Sequence, residues 1–298
     1  VEFIDMDRYW ELTKRLPNNE THGVVTEFLL SLKLANRSKI TITLYRRFLE
    51  KFFGQIEEPF SSLTSDTIHQ WFIKHEGKGK ETTLRLRLSV LSSFYTFCIQ
   101  EEYLDRSPIK SRWFPRLSKP VPKYLEKDDI AKTRFQSEKL SLRDQLLIEF
   151  MLSTGCRVGE VHSLNREDLD MKNRTARVMG KGKKIRYVHF TDRCAVLLER
   201  YLITIPKTCS ALFVNSTGRR LGIRMIQKIV NGIGEEAGLH SRLYPHRLRH
   251  TFATELLAKG ADISFIGEEL GHRDIGTTQI YARLPKSEIV ALYRKYMG

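Results

Sequence analysis

Four of the chain's nine prolines stand at 108, 115, 120 and 122, inside the stretch SPIKSRWFPRLSKPVPK. No helix runs through such a segment, because proline lacks the N–H and its ring clashes with the preceding turn. A central strand is excluded for the same missing donor. The stretch has no apolar period and carries several Lys and Arg, so it reads as a stiff basic linker. This predicts an N-terminal domain over 1–110, a linker over 111–123 and a second domain over 124–298. At 298 residues, both parts are long enough to bury cores of their own.

Before the linker the pattern is helical. SKITITLYRRFLEKFF places Leu44, Phe48, Leu49 and Phe52 at helical spacing behind a Ser38 start. TSDTIHQWFIKH is a shorter helix, and TTLRLRLSVLSSFYTFCIQ sets Leu84, Leu88, Leu91, Tyr95 and Cys98 on one stripe. The first domain is therefore expected to be a small helical bundle. Lys78, Lys80, Arg85 and Arg87 gather near the start of its last helix, where side chains and backbone N–H groups can hold phosphate. A solvated turn explains that cluster equally well.

After the linker, SLRDQLLIEFMLSTG is a helix with a Ser141/Asp144 start and Gly155 near its end. Thr175–Met179 and Ile185–Phe190 flank a Gly-Lys turn and predict a β-hairpin with lysines at its tip. From about Leu221 the chain is again mostly helical. The fold class expected is mainly α with a small β-sheet (α+β).

Charge narrows the function. Fifty Lys and Arg stand against thirty-five Asp and Glu, a net +15. Up to residue 122 the balance is 19 basic to 15 acidic, and after it 31 to 20, so the second part carries most of the excess. An excess of this size points to a polyanionic partner, with nucleic acid foremost. No apolar run nears the ~18 residues of a membrane span, and LLIEFML is broken by Glu149. The acidic opening VEFIDMDRYW is unlike a secretory signal, and a cytoplasmic protein is expected. The four cysteines are far apart with no CxxC, which suggests buried thiols rather than disulfides or a zinc site.

The segment YPHRLRHTFA places His246, Arg247, Arg249 and His250 within five positions. Pro245 suits a first helical turn, so His246 and Arg249 share a face and His250 lies one turn on. A zinc site of the HExxH kind is disfavoured, because Arg247 and Leu248 follow His246 and two arginines repel a dication. Upstream, LSTGCRVGEVHSL sets Arg157 after Gly155 and Glu160 three residues further. Downstream, ELGHRDIGTTQIYARL carries His272 and then Tyr281.

With the GKGKK turn, these boxes run in order through residues 123–283 and resemble the tyrosine recombinase (phage integrase) family. The resemblance implies a helical core-DNA-binding domain and a catalytic domain that close on duplex DNA as a C-shaped clamp. It implies that Tyr281 attacks the scissile phosphate, leaving a 3′-phosphotyrosyl link and a free 5′-hydroxyl, with a Holliday junction on the way to exchange. Arg157 and Arg249 would fork onto the non-bridging oxygens. Lys181 would protonate the departing oxygen, although Lys183 and Lys184 share its turn. His246 and His272 would complete the pocket, and Glu160 would orient it. Because free tyrosine titrates near ~10, a cationic pocket must favour the Tyr281 phenolate.

No metal and no other cofactor is implied. Arg112 of the linker and Lys183 join Lys78, Lys80, Arg85 and Arg87 as expected DNA contacts. The expected partner is double-stranded DNA with paired inverted core sites, bound by a homotetramer linked through a tail helix at 286–297. In that helix Ile289, Leu292, Tyr293 and Tyr296 form an apolar stripe. Accessory proteins are left open, and no membrane is involved. The residues before Val24 are too few for a separate arm-binding domain, which favours a simple two-domain enzyme. A type IB topoisomerase and a non-catalytic DNA-binding regulator remain as other readings.

Overall fold

The computed structural model describes residues 8–76, 79–117, 122–180, 184–205 and 209–271. The chain divides into two compact units, Val1–Ser118 and Lys119–Gly298.

The first unit is helical: α1 (Asn19–Leu34), α2 (Lys39–Phe53), α3 (Ser65–Glu76) and α4 (Glu81–Gln100). Asn18 and Ser38 cap the first two helices, their side chains accepting from the N–H of Thr21 and Thr41. Phe48, Leu49 and Phe52 of α2 meet Leu88, Leu91, Tyr95 and Cys98 of α4 in one core, with Leu44 and Leu84 at its margin. Trp113 and Phe114 also pack on this core, and Trp113 stacks on His69 with ring centres 5.5 Å apart. This part of the expected linker is therefore anchored, because two large aromatic rings gain more from burial than from solvent.

The second unit holds α5 (Lys127–Glu138), α6 (Leu142–Thr154) and α7 (Val158–Ser163). A three-stranded sheet of β1 (Leu169–Asp170), β2 (Thr175–Met179) and β3 (Ile185–His189) follows. The chain then forms α8 (Asp192–Thr204), α9 (Ile223–Glu236), α10 (Pro245–Ala258) and α11 (Ile263–Leu270). All three strands are antiparallel, in sequence order. The β2–β3 register pairs Ala176 with Val188 and Val178 with Arg186, so these four residues share the inner face. The predicted hairpin is present, with Phe190 just beyond the paired residues.

Helix α6 is apolar on nearly every side and lies at the centre of the second core. Its one buried acid, Glu149, accepts two bonds from Arg134, at 2.9 and 3.0 Å. Ser141 caps its start and Gly155 ends it in the left-handed conformation, at φ 59°. A Cβ at Gly155 would stand 2.4 Å from the Phe252 ring, so both backbone and space demand glycine there. That turn delivers Arg157 to the start of α7.

Candidate active site

Arg157 is the residue before the first turn of α7, and Glu160 reaches back to it. The Arg157 backbone N–H donates to Glu160 Oε2 at 2.8 Å, and Nη1 donates to Oε1 at 3.0 Å. The Glu160 side chain is 3% exposed, whereas that of Arg157 is 33% exposed. The acid is sunk in protein while the guanidinium reaches the surface.

Helix α10 begins at Pro245, in the first-turn position where a missing N–H costs nothing. Its four basic or near-basic residues then separate by direction. His246 is exposed at the helix start, and Arg249 is buried one turn on. Arg249 Nη1 donates to the Gly155 carbonyl at 2.7 Å and Nη2 to the Leu270 carbonyl at 2.6 Å. The fork is thereby fixed between the end of α6 and the end of α11. Arg247 points elsewhere and is structural: it donates to the carbonyls of Tyr124 and Ser241. His250 is half-buried beside His246.

The electrostatics agree with this grouping. Desolvation first, then the charges of Arg249 and Arg157, lowers the pKa of His246, which ties the three residues to one locus. His250 is lowered to about 4 by burial, then by His246 and Arg249, so it stays neutral at ordinary pH. Burial alone would raise the Glu160 carboxyl. The bonds and charge of Arg186, then the backbone N–H and charge of Arg157, outweigh burial and hold it below the usual range. Cys156, adjacent in sequence, is pushed up to about 12, mainly by burial, and is an inert thiol.

Arg186 joins the site although its sequence neighbours carry no motif for it. It occupies the inner face of β3 in phase with buried Val188, and a basic residue at an inward strand position is itself the signal. It grips both Glu160 oxygens and also donates from Nε to the Glu269 carbonyl at 3.0 Å. Arg186 and Arg249 together satisfy two orphan carbonyls at the C-terminus of α11, where the helix dipole favours cations. The Glu269 side chain, 9% exposed, lies 2.8 Å from His189 Nδ1.

The structure thus brings together Arg157, Glu160, His246 and Arg249. Lys181, Lys183, His272, Tyr281 and the tail helix 286–297 lie outside the described residues, as does Lys78. Gly180, next to Lys181 in sequence, is described: a Cβ there would stand 3.5 Å from Glu160 Oε1. In the first unit Lys80 and Arg112 are exposed, and Arg85 donates to the Pro115 carbonyl at 2.9 Å. Arg87 is turned inward, paired with Glu76 and set over the Phe48 ring. Among the described residues no His, Cys, Asp and Glu group is arranged to hold a metal ion, and no helix is long and apolar enough to cross a membrane.

Comparisons with known proteins converge on one family. Residues 123–288 match the phage integrase family, and residues 25–102 match the phage integrase N-terminal SAM-like domain. The tyrosine recombinase XerC of Thermodesulfovibrio yellowstonii is 33% identical, over 92% of this chain and 96% of its own length. The tyrosine recombinase XerD of Oceanobacillus iheyensis is 34% identical, over 86% of this chain and 91% of its own. Among solved structures, the XerA recombinase aligns over 93% of this chain and 99% of its own, at 28% identity and a TM-score of 0.56. XerH bound to its difH substrate shares the fold at 23% identity, with a TM-score of 0.71 over 98% of this chain and 94% of its own. A lambda integrase dimer bound to a COC′ core site does so at 18% identity, with a TM-score of 0.73 over 87% of this chain and 94% of its own. With its second unit matched from end to end of the site and relatives a third identical along most of their length, the chain belongs to the phage integrase family.

Proposed function

We propose that this chain is a site-specific DNA recombinase of the tyrosine type, acting on duplex DNA without metal or nucleotide. The observation that carries the reading is the convergence of Arg157, His246 and Arg249 on one locus, with Arg249 immobilised by two backbone carbonyls. Breaking a phosphodiester with a protein nucleophile requires preorganised positive charge where the phosphorane forms. Guanidinium forks supply it in the geometry that phosphate oxygens accept.

In this reading the Tyr281 hydroxyl gives up its proton, the phenolate oxygen bonds to phosphorus as the bond to the 5′ oxygen breaks, and Lys181 gives that leaving oxygen a proton. The phosphotyrosyl link conserves the bond energy for rejoining to a second strand. His246, neutral because its pKa is depressed, donates a hydrogen bond to the phosphate or carries a proton. His272 joins Arg157 and Arg249 around the same oxygens. The helical first unit contacts the DNA through Lys80, Arg85 and Arg112 with Lys78. Two core sites in inverted pairs are exchanged by a homotetramer in the cytoplasm, its protomers linked through the tail helix.

The test is covalent capture on a nicked suicide duplex bearing the cognate site, comparing the parent with Tyr281→Phe. The parent forms a protein–DNA adduct, and the variant forms none while still binding. An adduct that persists in Tyr281→Phe places the nucleophile elsewhere. A parent that binds its site but never forms an adduct is a regulator, not a recombinase.

A further inference from the structure

Arg186 donates from Nη1 to Glu160 Oε1 at 2.7 Å and from Nη2 to Glu160 Oε2 at 2.9 Å. Its side chain is 14% exposed. A parallel fork of this kind uses both carboxylate oxygens at once. Arg157 reaches the same carboxylate with only one side-chain bond, from Nη1 to Oε1. One buried acid is therefore shared unequally between two arginines, and the more buried arginine holds the larger share.

The inequality has a chemical consequence. A carboxylate as buried as Glu160 does not stay unpaired, because an isolated charge in protein loses its hydration with nothing to replace it. If Arg186 were absent, the cation at hand would be Arg157, already bonded to it. Arg157 would close into a two-pronged pair with Glu160, which turns its fork inward and offsets its charge. An arginine spent in that way is a poor ligand for a phosphorane. Gly271 shows how closely the surroundings fit Arg186: it is left-handed at φ 63°, and a Cβ there would stand 3.0 Å from Arg186 Cδ.

We propose that Arg186 is a positioning residue for strand cleavage: by occupying both oxygens of Glu160 it keeps Arg157 on a single tether, with its fork directed to the scissile phosphate. This rests on Arg157 being a phosphate ligand, as read above. In this role Arg186 acts through Glu160 and not on the phosphate itself.

The experiment has one arm with DNA and one without. Single-turnover cleavage at saturating protein is measured for the parent, Arg186→Gln, Arg186→Lys, Glu160→Gln and the Glu160→Gln/Arg186→Gln double variant. Arg186→Gln cleaves on the order of a hundredfold more slowly, as a misplaced ligand would dictate, with site affinity within about twofold of the parent. Arg186→Lys, which keeps the charge but loses the fork, falls between them. In the Glu160→Gln background, adding Arg186→Gln costs little more, because the two act as a unit. In the arm without DNA, carbon NMR titration of the Glu160 carboxyl shows its pKa rising in Arg186→Gln, and the acid limb of cleavage moves with it.

Parental cleavage by Arg186→Gln overturns the proposal, as do equal losses in both backgrounds or an unmoved Glu160 titration. If Arg186→Gln does not fold, Arg186→Lys decides alone: a parental rate in that variant refutes a role for the fork. A parent without any adduct refutes the recombinase reading instead, a result separable from the Glu160 titration.

Discussion

The two units bury different chemistry. The core of the first is built from rings: Phe28, Phe48, Phe52, Phe53, Phe60, Trp71, Phe72, Phe94 and Tyr95 are all buried. Phe94 meets Phe28, Phe53, Phe60 and Tyr95 with centres 5.2–5.7 Å apart, steeply inclined to each. Glu50 and Glu76 are the only buried charges among its described residues. The second unit has a mainly aliphatic core, yet it buries Glu149, Glu160, Arg247, Arg249 and Glu269. A ring needs only neighbours, whereas a buried charge needs partners at bond length. The first unit meets that need at two places, Glu50 with Thr13 and Glu76 with Lys51 and Arg87, and rings fill the rest. The second meets it at five, and two of these, Glu160 and Arg249, stand in the candidate active site.

The strongest way to break this contrast is Arg249→Ala. Cleavage at saturating protein should fall by about a thousandfold or more, with site affinity little changed because binding is spread over many phosphate contacts. Recovery of activity at saturation would reduce Arg249 to a DNA-holding residue and remove the distinction.

Phe94→Ala probes the other side. Removing a ring from the middle of the aromatic core should cost about 3–5 kcal/mol of stability, read as an earlier thermal transition of the first unit. Cleavage per folded molecule should stay parental. A catalytic defect without a stability defect would mean that the first core also sets chemistry.

His250 sharpens the comparison through pH. Its pKa in the folded chain is about 4, against 6.5 for an ordinary histidine. The unfolded chain takes up the proton first, so stability is full above about pH 6.5, declines as pH falls toward 4 and falls no further below that. The loss should be on the order of 1–2 kcal/mol after screening. In His250→Gln the decline over this range should shrink by that amount, leaving the smaller share that belongs to His246, whose pKa is also lowered. A curve unchanged by the substitution would place the titration on another group.

The smallest effect should be the same in both units. Ser38→Ala and Ser141→Ala each remove one cap, and each should cost about 1 kcal/mol. Unequal costs would show that one of the two helices depends on its cap more than its packing suggests.

What could be read beforehand follows the same division. The stripes of α2 and α4 were legible because apolar residues recur at helical spacing. The Ser38 start, the Gly155 end and the Pro245 start all carry their meaning in a single residue type. Helix α1 is hidden in the sequence: its opening turns are polar and Gly23 interrupts them, so its buried Val24, Val25, Phe28 and Leu29 do not stand out. The short β1 has two residues and no pattern to show. In the site, Arg157, Glu160, His246 and Arg249 were named because each sits in a recognisable box. Arg186 and Glu269 were not, since their roles arise from a strand register and a helix end meeting in space. Arg87 reads as a DNA contact from its basic neighbours, but its guanidinium pairs with Glu76 at the end of α3, a partner that the apolar spacing of α4 does not reveal.

Arg247 has a mechanical side. It holds the Tyr124 carbonyl with two bonds, at 3.3 and 3.2 Å, while Thr251 Oγ1 receives the Leu125 N–H at 2.9 Å. The chain therefore enters the second unit strapped across α10, the helix that carries His246 and Arg249. A pull on the segment before Tyr124 would load α10 directly, through Arg247 and Thr251, the turn of helix that also holds Arg249.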